Sequence, residues 1–349
     1  MITEIINITQ GDNLDEKLIL AAEIIKSGGL VVFPTETVYG LGGDALNSSA
    51  SKKIYEAKGR PQDNPLIIHI ASPDDAKKYT YTNNLYDKLA KRFMPGPLTV
   101  VLPARSCIPP ETRASLPTVA VRCPEHPIAR KLISLAGTPI AAPSANLSGS
   151  PSPTKASHVI DDMNGRVDAI IAADDSEIGL ESTIVKIEDD STVTLLRPGK
   201  ITIEELSEVC DKIIVARAVT SKIAEGEKVL SPGMKYRHYA PKAPVILLDG
   251  CRKKIGEYIS KNSENKSVSV ICYREQIADI KEKVPNAFIY EFGSEKDEDA
   301  QAHLLFDILR DADKRNFDVI YAPLPKAEGV GLALYNRMIR AAAYNIIKL

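Results

Sequence analysis

Lys58 and Arg60 stand in the run Lys58-Gly59-Arg60-Pro61, at the end of a short helical stretch. Ser48 or Ser49 would cap that helix, and Ala50, Ile54 and Ala57 would form its inner stripe. Two cations at a helix end can grip an anion, or they can simply offset the negative end of the helix dipole. Ahead of them the apolar run 30–33 stops at Pro34 and gives way to a hydroxyl-rich turn with Thr35, Thr37 and Tyr39. Glycines 40, 42 and 43 let the backbone bend or approach a ligand. Behind them Pro65 opens a strand, 66–71, with His69 in its middle; alone, that histidine reads as a satisfied core residue. The stretch 28–71 thus has the parts to hold an anion beside a small polar molecule.

Two later stretches add to this set. In 118–122, Val119 and Val121 face one way while Thr118, Ala120 and Arg122 face the other, so a hydroxyl and a guanidinium share a strand face. Such a face can be a solvated one or a binding one. Strand 139–142 runs into a loop of hydroxyl, amide, Gly and Pro residues, of which Ser144 and Asn146 are the first polar groups. Loops at strand ends are where open α/β sheets bind ligands.

Composition narrows the classes. A chain of 349 residues is long enough for two domains. Its net charge of −2 provides no global attraction to nucleic acid or acidic membranes, so an anion site must be local. Cysteines 107, 123, 210, 251 and 272 form no CxxC pair, which argues against a zinc ribbon and a disulfide framework and suits a reducing cytoplasm. There is no Trp and little Phe for a base-stacking platform. The N-terminus lacks the pattern of a signal peptide, and no apolar run approaches the roughly 20 residues of a membrane span, so no membrane association is expected. The Walker pattern is absent, and no covalent nucleophile stands out.

These residues need a scaffold. Helical periodicity marks 14–27, 74–79, 85–93, 127–136 and 202–209; strands are expected at 98–102, 118–122 and 168–172, with a hairpin from 182–187 and 193–197. Residues 106–115 read as a loop, and 212–229 lacks periodicity. From Pro244 onward, strands 245–248, 268–273, 287–292 and 318–322 alternate with helices 252–261, 275–283, 297–315 and 331–347, which implies a small parallel sheet covered on both faces. The turn at Gly329 and Gly331 offers only a weak phosphate signal.

In order along the chain come PTETVYGLG, KGRP followed by NPL and HI, AVRCP, SAN, ESTIV, LLRPG and SPGMKYRHYAP. Together they resemble the Sua5/YrdC/YwlC family in its long, two-domain Sua5 form, over nearly the whole chain. The resemblance implies an α/β fold: a YrdC-like twisted sheet domain with a basic cavity over 1–209, a linker over 210–243, and a Rossmann-like parallel domain over 244–349. It implies synthesis of L-threonylcarbamoyladenylate from L-threonine, bicarbonate or CO2, and ATP, with release of pyrophosphate. The product would serve threonylcarbamoylation of adenosine 37 in tRNAs reading A-starting codons. By resemblance, Lys58, Arg60, Ser144 and Asn146 carry catalysis. The ATP contacts are those four with Asn64, Thr118, Ser152, Arg197 and Tyr236. The threonine contacts are Thr35, Thr37, Tyr39, His69, Arg122, Ala142 and Ser182, with Arg122 as partner of the carboxylate.

Mg2+ is expected to accompany ATP, its ligands unidentified, and no tightly bound organic cofactor is expected. Expected partners are the substrates and, further on, tRNA and the downstream transfer machinery. The rival readings are a non-catalytic module binding tRNA or double-stranded RNA, and a carbamoyl-transfer domain of the hydrogenase-maturation type. The first is disfavoured by low charge and few aromatics, the second by the absence of paired cysteines. The linker segment 231–241 is expected to act as a lid, because a carbamate and its adenylate are hydrolytically fragile. Deletion of residues 235–239 is expected to lower adenylate formation far more than the melting temperature; undiminished synthesis in the deletion variant would refute the lid.

Overall fold

The structure is a computed structural model that describes residues 2–62, 64–221 and 239–349. Among these, 2–148 with 152–221 form one compact unit, and 149–151 with 239–349 a second.

The first unit runs β1 (Glu4–Asn7), α1 (Leu14–Lys26), β2 (Val31–Phe33), β3 (Gly40–Asp44), α2 (Ser48–Lys58), β4 (Ile67–His69), α3 (Ala76–Tyr79), α4 (Asn84–Phe93), β5 (Leu98–Pro103), β6 (Thr118–Arg122), α5 (Pro127–Ala136), β7 (Ile140–Ala141), α6 (Ala156–Met163), β8 (Ala169–Ala172), β9 (Thr183–Ile187), β10 (Thr192–Arg197), α7 (Ile203–Ser207) and β11 (Lys212–Val215). Its strands form one 11-stranded mixed sheet in the order β1-β8-β2-β3-β7-β4-β6-β5-β9-β10-β11. Antiparallel pairs (β2·β3, β3·β7, β4·β7, β5·β6) alternate with parallel ones (β4·β6, β5·β9) near its centre.

Helix α1 buries Leu18, Ala21, Ala22 and Ile25, spaced at helical intervals, and packs with Ile128, Leu132 and Ile133 of α5 over Phe33, Ile140 and Ala142 of the sheet. Helix α2 is capped by Asn47, ahead of both expected serines: its side chain accepts from the backbone N–H groups of Ser49 and Ala50. It ends at Gly59 in the left-handed region (φ 61°), which turns the chain so that Lys58 and Arg60 leave the helix separately.

Four elements depart from the expected pattern. The glycine-rich run after Tyr39 is a strand, β3, and not a bend. A Cβ at Gly42 would lie 2.7 Å from both Phe33 Cε1 and Ile140 Cγ2, so glycine serves there to let the Phe33 ring lie against the sheet. Strands β1 and β11 are edge strands with little apolar alternation to reveal them, and β11 extends the sheet into the stretch expected as linker. Helix α6 follows a proline-rich stretch and lacks a side-chain cap, which hides it from sequence reading.

The second unit runs β12 (Val245–Asp249), α8 (Arg252–Asn262), β13 (Val268–Cys272), α9 (Ile277–Lys283), β14 (Phe288–Glu291), α10 (Glu298–Arg315), β15 (Val319–Pro323), α11 (Gly331–Ala341) and β16 (Ile346–Lys348). The 5-stranded sheet is parallel throughout, in the order β14-β13-β15-β12-β16. Ile259 of α8 and Ile280 of α9 close one face over Leu248, Val270 and Tyr321. The last helix ends earlier than its apolar pattern suggests. Ala343 and Tyr344, both at positive φ, turn the chain into β16, which pairs with β12. At the start of α11 the backbone N–H of Gly331 donates to Glu298 Oε2 (2.8 Å), so the chain's own carboxylate stands where a phosphate was considered.

Gly42→Ala is expected to cost about 1–3 kcal/mol of unfolding free energy. A lower urea midpoint at unchanged slope would show it; an unchanged midpoint would mean that the Phe33 ring does not demand glycine here.

Candidate active site

Neighbouring strands place three polar side chains in one row. The register sets His69 of β4 beside Arg122 of β6, and Arg122 beside Thr99 of β5. Residues side by side across a ladder share a face, so imidazole, guanidinium and hydroxyl point the same way. The row continues to Ser182, whose hydroxyl lies 2.7 Å from that of Thr99. Arg197 then holds Ser182 twice, from Nε to its carbonyl (3.0 Å) and from Nη2 to its hydroxyl (3.1 Å).

The turn between β2 and β3 is fastened to this row. Arg122 Nη2 donates to Glu36 Oε1 at 2.7 Å, with both side chains about 5 % exposed. Thr35 and Thr37 share a hydroxyl–hydroxyl hydrogen bond (2.9 Å), and Thr35 also bonds the Val38 carbonyl, so the turn is rigid on both sides of Glu36. Tyr39 faces elsewhere: its hydroxyl donates to the Ala173 and Asp174 carbonyls (2.8 and 3.0 Å), making it a brace beyond β8. Burial raises its pKa above the ordinary phenol value.

A second network surrounds Lys58. Its Nζ donates to the Asn146 carbonyl (2.7 Å), to Asn146 Oδ1 (3.3 Å) and to the Ser144 carbonyl. The Ser144 hydroxyl donates to Asn146 Oδ1, and the Ser148 N–H returns to the Lys58 carbonyl (2.9 Å). The loop after β7 is therefore folded around one buried ammonium group. It is stitched to β3 by the Gly40–Ser144 bridge and by the Ala145 N–H to the Tyr39 carbonyl (2.8 Å). Ala142 joins the two networks: its N–H bonds the Ile67 carbonyl (2.9 Å) two residues before His69, and it leads into Ser144.

The remaining expected residues lie around these networks. Arg60 is buried just beyond α2. Asn64 is fully buried, and its side-chain amide has no hydrogen-bond partner among the described residues. Ser152 donates to Glu181, the residue before Ser182. Thr118, half-buried, starts β6, about 13 Å along the strand from Arg122 at ~3.3 Å per residue, so the two cannot touch one small ligand. Tyr236 and most of the expected lid fall outside the described residues. Among the described residues no group of His, Cys, Asp and Glu could hold a metal ion, and no helix is long and apolar enough to cross a membrane.

Charge in the row is settled by burial. Desolvation first, and the Arg122 guanidinium second, push the His69 pKa down to about 3, so its ring is neutral near pH 7. The Nδ1–H faces the Ile67 carbonyl (3.2 Å), which leaves Nε2 as an acceptor. Burial alone would raise the Glu36 carboxyl, but the adjoining Arg122, helped by the backbone N–H groups of Glu36 and Glu125, more than reverses this and holds its pKa below the ordinary value. The row thus carries one complete ion pair and a neutral imidazole.

Glu36 is the residue that sequence reading missed. Its signal was present: it is the sole charged residue between Lys26 and Asp44, inside a run that has to be buried.

This combination of sheet, turn and loop defines the class, and comparison agrees. Residues 23–199 match the Sua5/YciO/YrdC family model, described as telomere recombination, and residues 201–343 match the threonylcarbamoyl-AMP synthase C-terminal domain. The chain belongs to this family, in its two-domain Sua5 form. It is 46 % identical over 356 residues to the threonylcarbamoyl-AMP synthase of Pyrococcus abyssi, covering 99 % of both chains. It is 43 % identical over 338 residues to that of Bacillus subtilis, covering 96 % of this chain and 95 % of the relative. The crystal structure of P. abyssi Sua5 complexed with L-threonine matches with a TM-score of 0.90 at 44 % identity, covering 99 % of this chain and 100 % of that one. E. coli YciO shares the fold of 57 % of the chain (TM-score 0.51, 24 % identity).

The histidine makes a testable contribution to acid stability. The unfolded chain protonates His69 near its ordinary 6.5, whereas the folded chain does so only near 3, so stability falls as pH drops through that window. Glu36 acts in the same direction at lower pH: its contribution is present above the ordinary 4.5 and is lost as pH falls through its lower folded value. In His69→Gln the decline of the urea midpoint below pH 6.5 is expected to be shallower than in the wild type. Parallel declines would show that the buried ring does not titrate this way.

Proposed function

We propose that this chain is a threonylcarbamoyl-AMP synthase, which condenses L-threonine, bicarbonate or CO2, and ATP into L-threonylcarbamoyladenylate and pyrophosphate. One observation carries the reading: the buried Glu36–Arg122 row adjoins, through Ala142 and Ser144, a loop wrapped around Lys58. It is supported by full-length relatives at 43–46 % identity that bear this activity's name.

Arg122 takes the threonine carboxylate. Its Nη2 and Nε are engaged with Glu36 and Gly96, while Nη1 makes no bond among the described residues. His69, neutral with an acceptor Nε2, suits the threonine hydroxyl, and Thr35, Thr37, Ala142 and Ser182 shape the seat, while Tyr39 braces the turn from behind rather than touching the ligand. The amine, once neutral, attacks CO2, and the carbamate oxygen so formed attacks the α-phosphorus of ATP and expels pyrophosphate. This displacement needs positioning and charge stabilisation rather than a covalent nucleophile.

Lys58 and Arg60, with Asn64, Ser144, Asn146 and Ser152, receive the phosphates. Thr118 and Tyr236 contact the rest of the nucleotide. Arg197, bonded to Ser182, stands where the two substrates meet, so it can follow charge from the carbamate to the phosphate. A Mg2+ ion arriving with ATP would be held mainly by phosphate oxygens and water. The adenylate would be consumed in modifying adenosine 37 of tRNA in the cytoplasm. The first domain carries the chemistry; the lid expected over 231–241 lies mostly outside the described residues.

Incubation with ATP, bicarbonate and threonine is expected to release pyrophosphate only when threonine is present. Lys58→Ala and Arg60→Ala should each lower kcat/KM for ATP by about 10²–10³-fold, and Arg122→Ala should raise the threonine requirement about 10- to 100-fold. Pyrophosphate release indifferent to threonine, or none, would refute the activity.

A further inference from the structure

Beyond holding Arg122, Glu36 has a role of its own. We propose that Glu36 receives the α-ammonium of the substrate, so that the Glu36–Arg122 pair reads an amino acid as a zwitterion. The inference rests on the threonine seat proposed above and concerns a residue not assigned there.

The argument starts from an incomplete carboxylate. Glu36 is 4 % exposed, and its Oε1 is engaged with Arg122; the backbone N–H groups of Glu36 and Glu125 act on the carboxylate, but its Oε2 has no hydrogen bond of good geometry among the described residues. An ionised oxygen buried without a donor is costly, by about 1–3 kcal/mol or more. Nearby side chains do not relieve it. The Thr35 and Thr37 hydroxyls bond each other, and that of Ser182 is engaged with Thr99 and Arg197. The His69 ring is neutral and directs its N–H to a carbonyl. The backbone of Glu36 is fixed as well, its carbonyl accepting from the Ile178 N–H (2.8 Å), so the side chain cannot readily swing to solvent.

Ion pair and ligand match in charge and order. Arg122 offers Nη1 on one side of the pair, and Glu36 offers Oε2 on the other. A carboxylate and an ammonium on one carbon complete both without adding net charge to a dry site, whereas a lone anion would leave Glu36 unmet. Because Arg122 keeps the Glu36 carboxyl ionised, Glu36 binds the ammonium as an acceptor and does not serve as the base that deprotonates it. The seat would therefore reject acids that have the shape of threonine but lack its amine.

Two ligands separate this role from simple support of Arg122. Calorimetry on the full chain compares L-threonine with 3-hydroxybutanoate, which keeps the carboxylate and hydroxyl and lacks the amine; weak binding is read by competition against threonine-dependent pyrophosphate release. Glu36→Gln is expected to weaken threonine about 10- to 100-fold and to leave hydroxybutanoate nearly unchanged. Equal losses for both ligands, or undiminished threonine affinity, would overturn the proposal.

Should the variant not fold, the wild type decides. Its threonine affinity should fall as pH rises through the substrate's own ammonium pKa, while hydroxybutanoate binding stays level. The groups whose charge bears on Glu36 leave this alkaline window clear: Arg122 stays charged, both His69 and His126 are pushed below their usual value, and burial pushes the Cys123 thiol up to about 11. Level threonine binding across that window would also overturn the proposal. A wild type that binds no threonine at neutral pH would instead remove the seat itself, and the proposal with it.

Discussion

A guanidinium and a carboxylate, taken out of water together, set the terms for the rest of the first unit. Arg122 lies on a central strand, and Glu36 lies on a turn whose backbone is held by its two flanking strands and by the Ile178 N–H but whose side chain is fixed by Arg122. Pairing fastens the turn across three intervening strands of the sheet order, β3, β7 and β4. The net worth of such a pair is modest, because desolvation offsets much of the attraction. Its structural meaning lies elsewhere: neither charge can be buried without the other, so turn and strand have one acceptable arrangement. That arrangement neutralises His69 by burial and keeps Glu36 ionised, and it decides which charges a ligand meets.

The Lys58 loop uses the same physics with different groups. An ammonium group has three donors, and here carbonyl and amide oxygens of Ser144 and Asn146 surround it. These residues are far apart in sequence, yet their backbones converge because the loop after β7 is bonded back to Lys58 through Ser148 and to β3 through Ser144. A phosphate arriving beside Lys58 would meet a cation already oriented by the fold, which spares the cost of ordering a flexible lysine. Ser182 shows similar economy: bonded to both Thr99 and Arg197, it links the row of His69 and Arg122 to a second buried guanidinium.

The second unit achieves its order by simpler means. Its strands are all parallel, and their apolar runs and intervening helices follow the regular alternation that such sheets require. The start of α11, where a phosphate might have been sought, is closed by Glu298. The backbone donors of a helix start are satisfied there internally, in contrast to the incomplete carboxylate of Glu36 in the first unit.

What the sequence determined by itself follows from local rules. Helical stripes placed α1, α4, α5 and α10 close to their observed bounds, and alternation put Thr118 and Arg122 on one strand face. Residue type and position mark Lys58, Ser144, Asn146 and Arg122 at strand and helix ends, whereas His69 reads by itself as a core histidine and is singled out only by the family resemblance. Tertiary structure alone decided the rest. Gly40–Asp44 became a strand because β2 and β7 pair with it on both sides, and its glycines make room for the Phe33 ring of the neighbouring strand. The final helix gave way to β16 because β12 offered an open edge for pairing. Glu36 acquired its partner, and His69 its neutrality, only when strands distant in sequence came into register. Local patterns report what a segment prefers, whereas burial and charge pairing belong to whichever groups the closed sheet brings together.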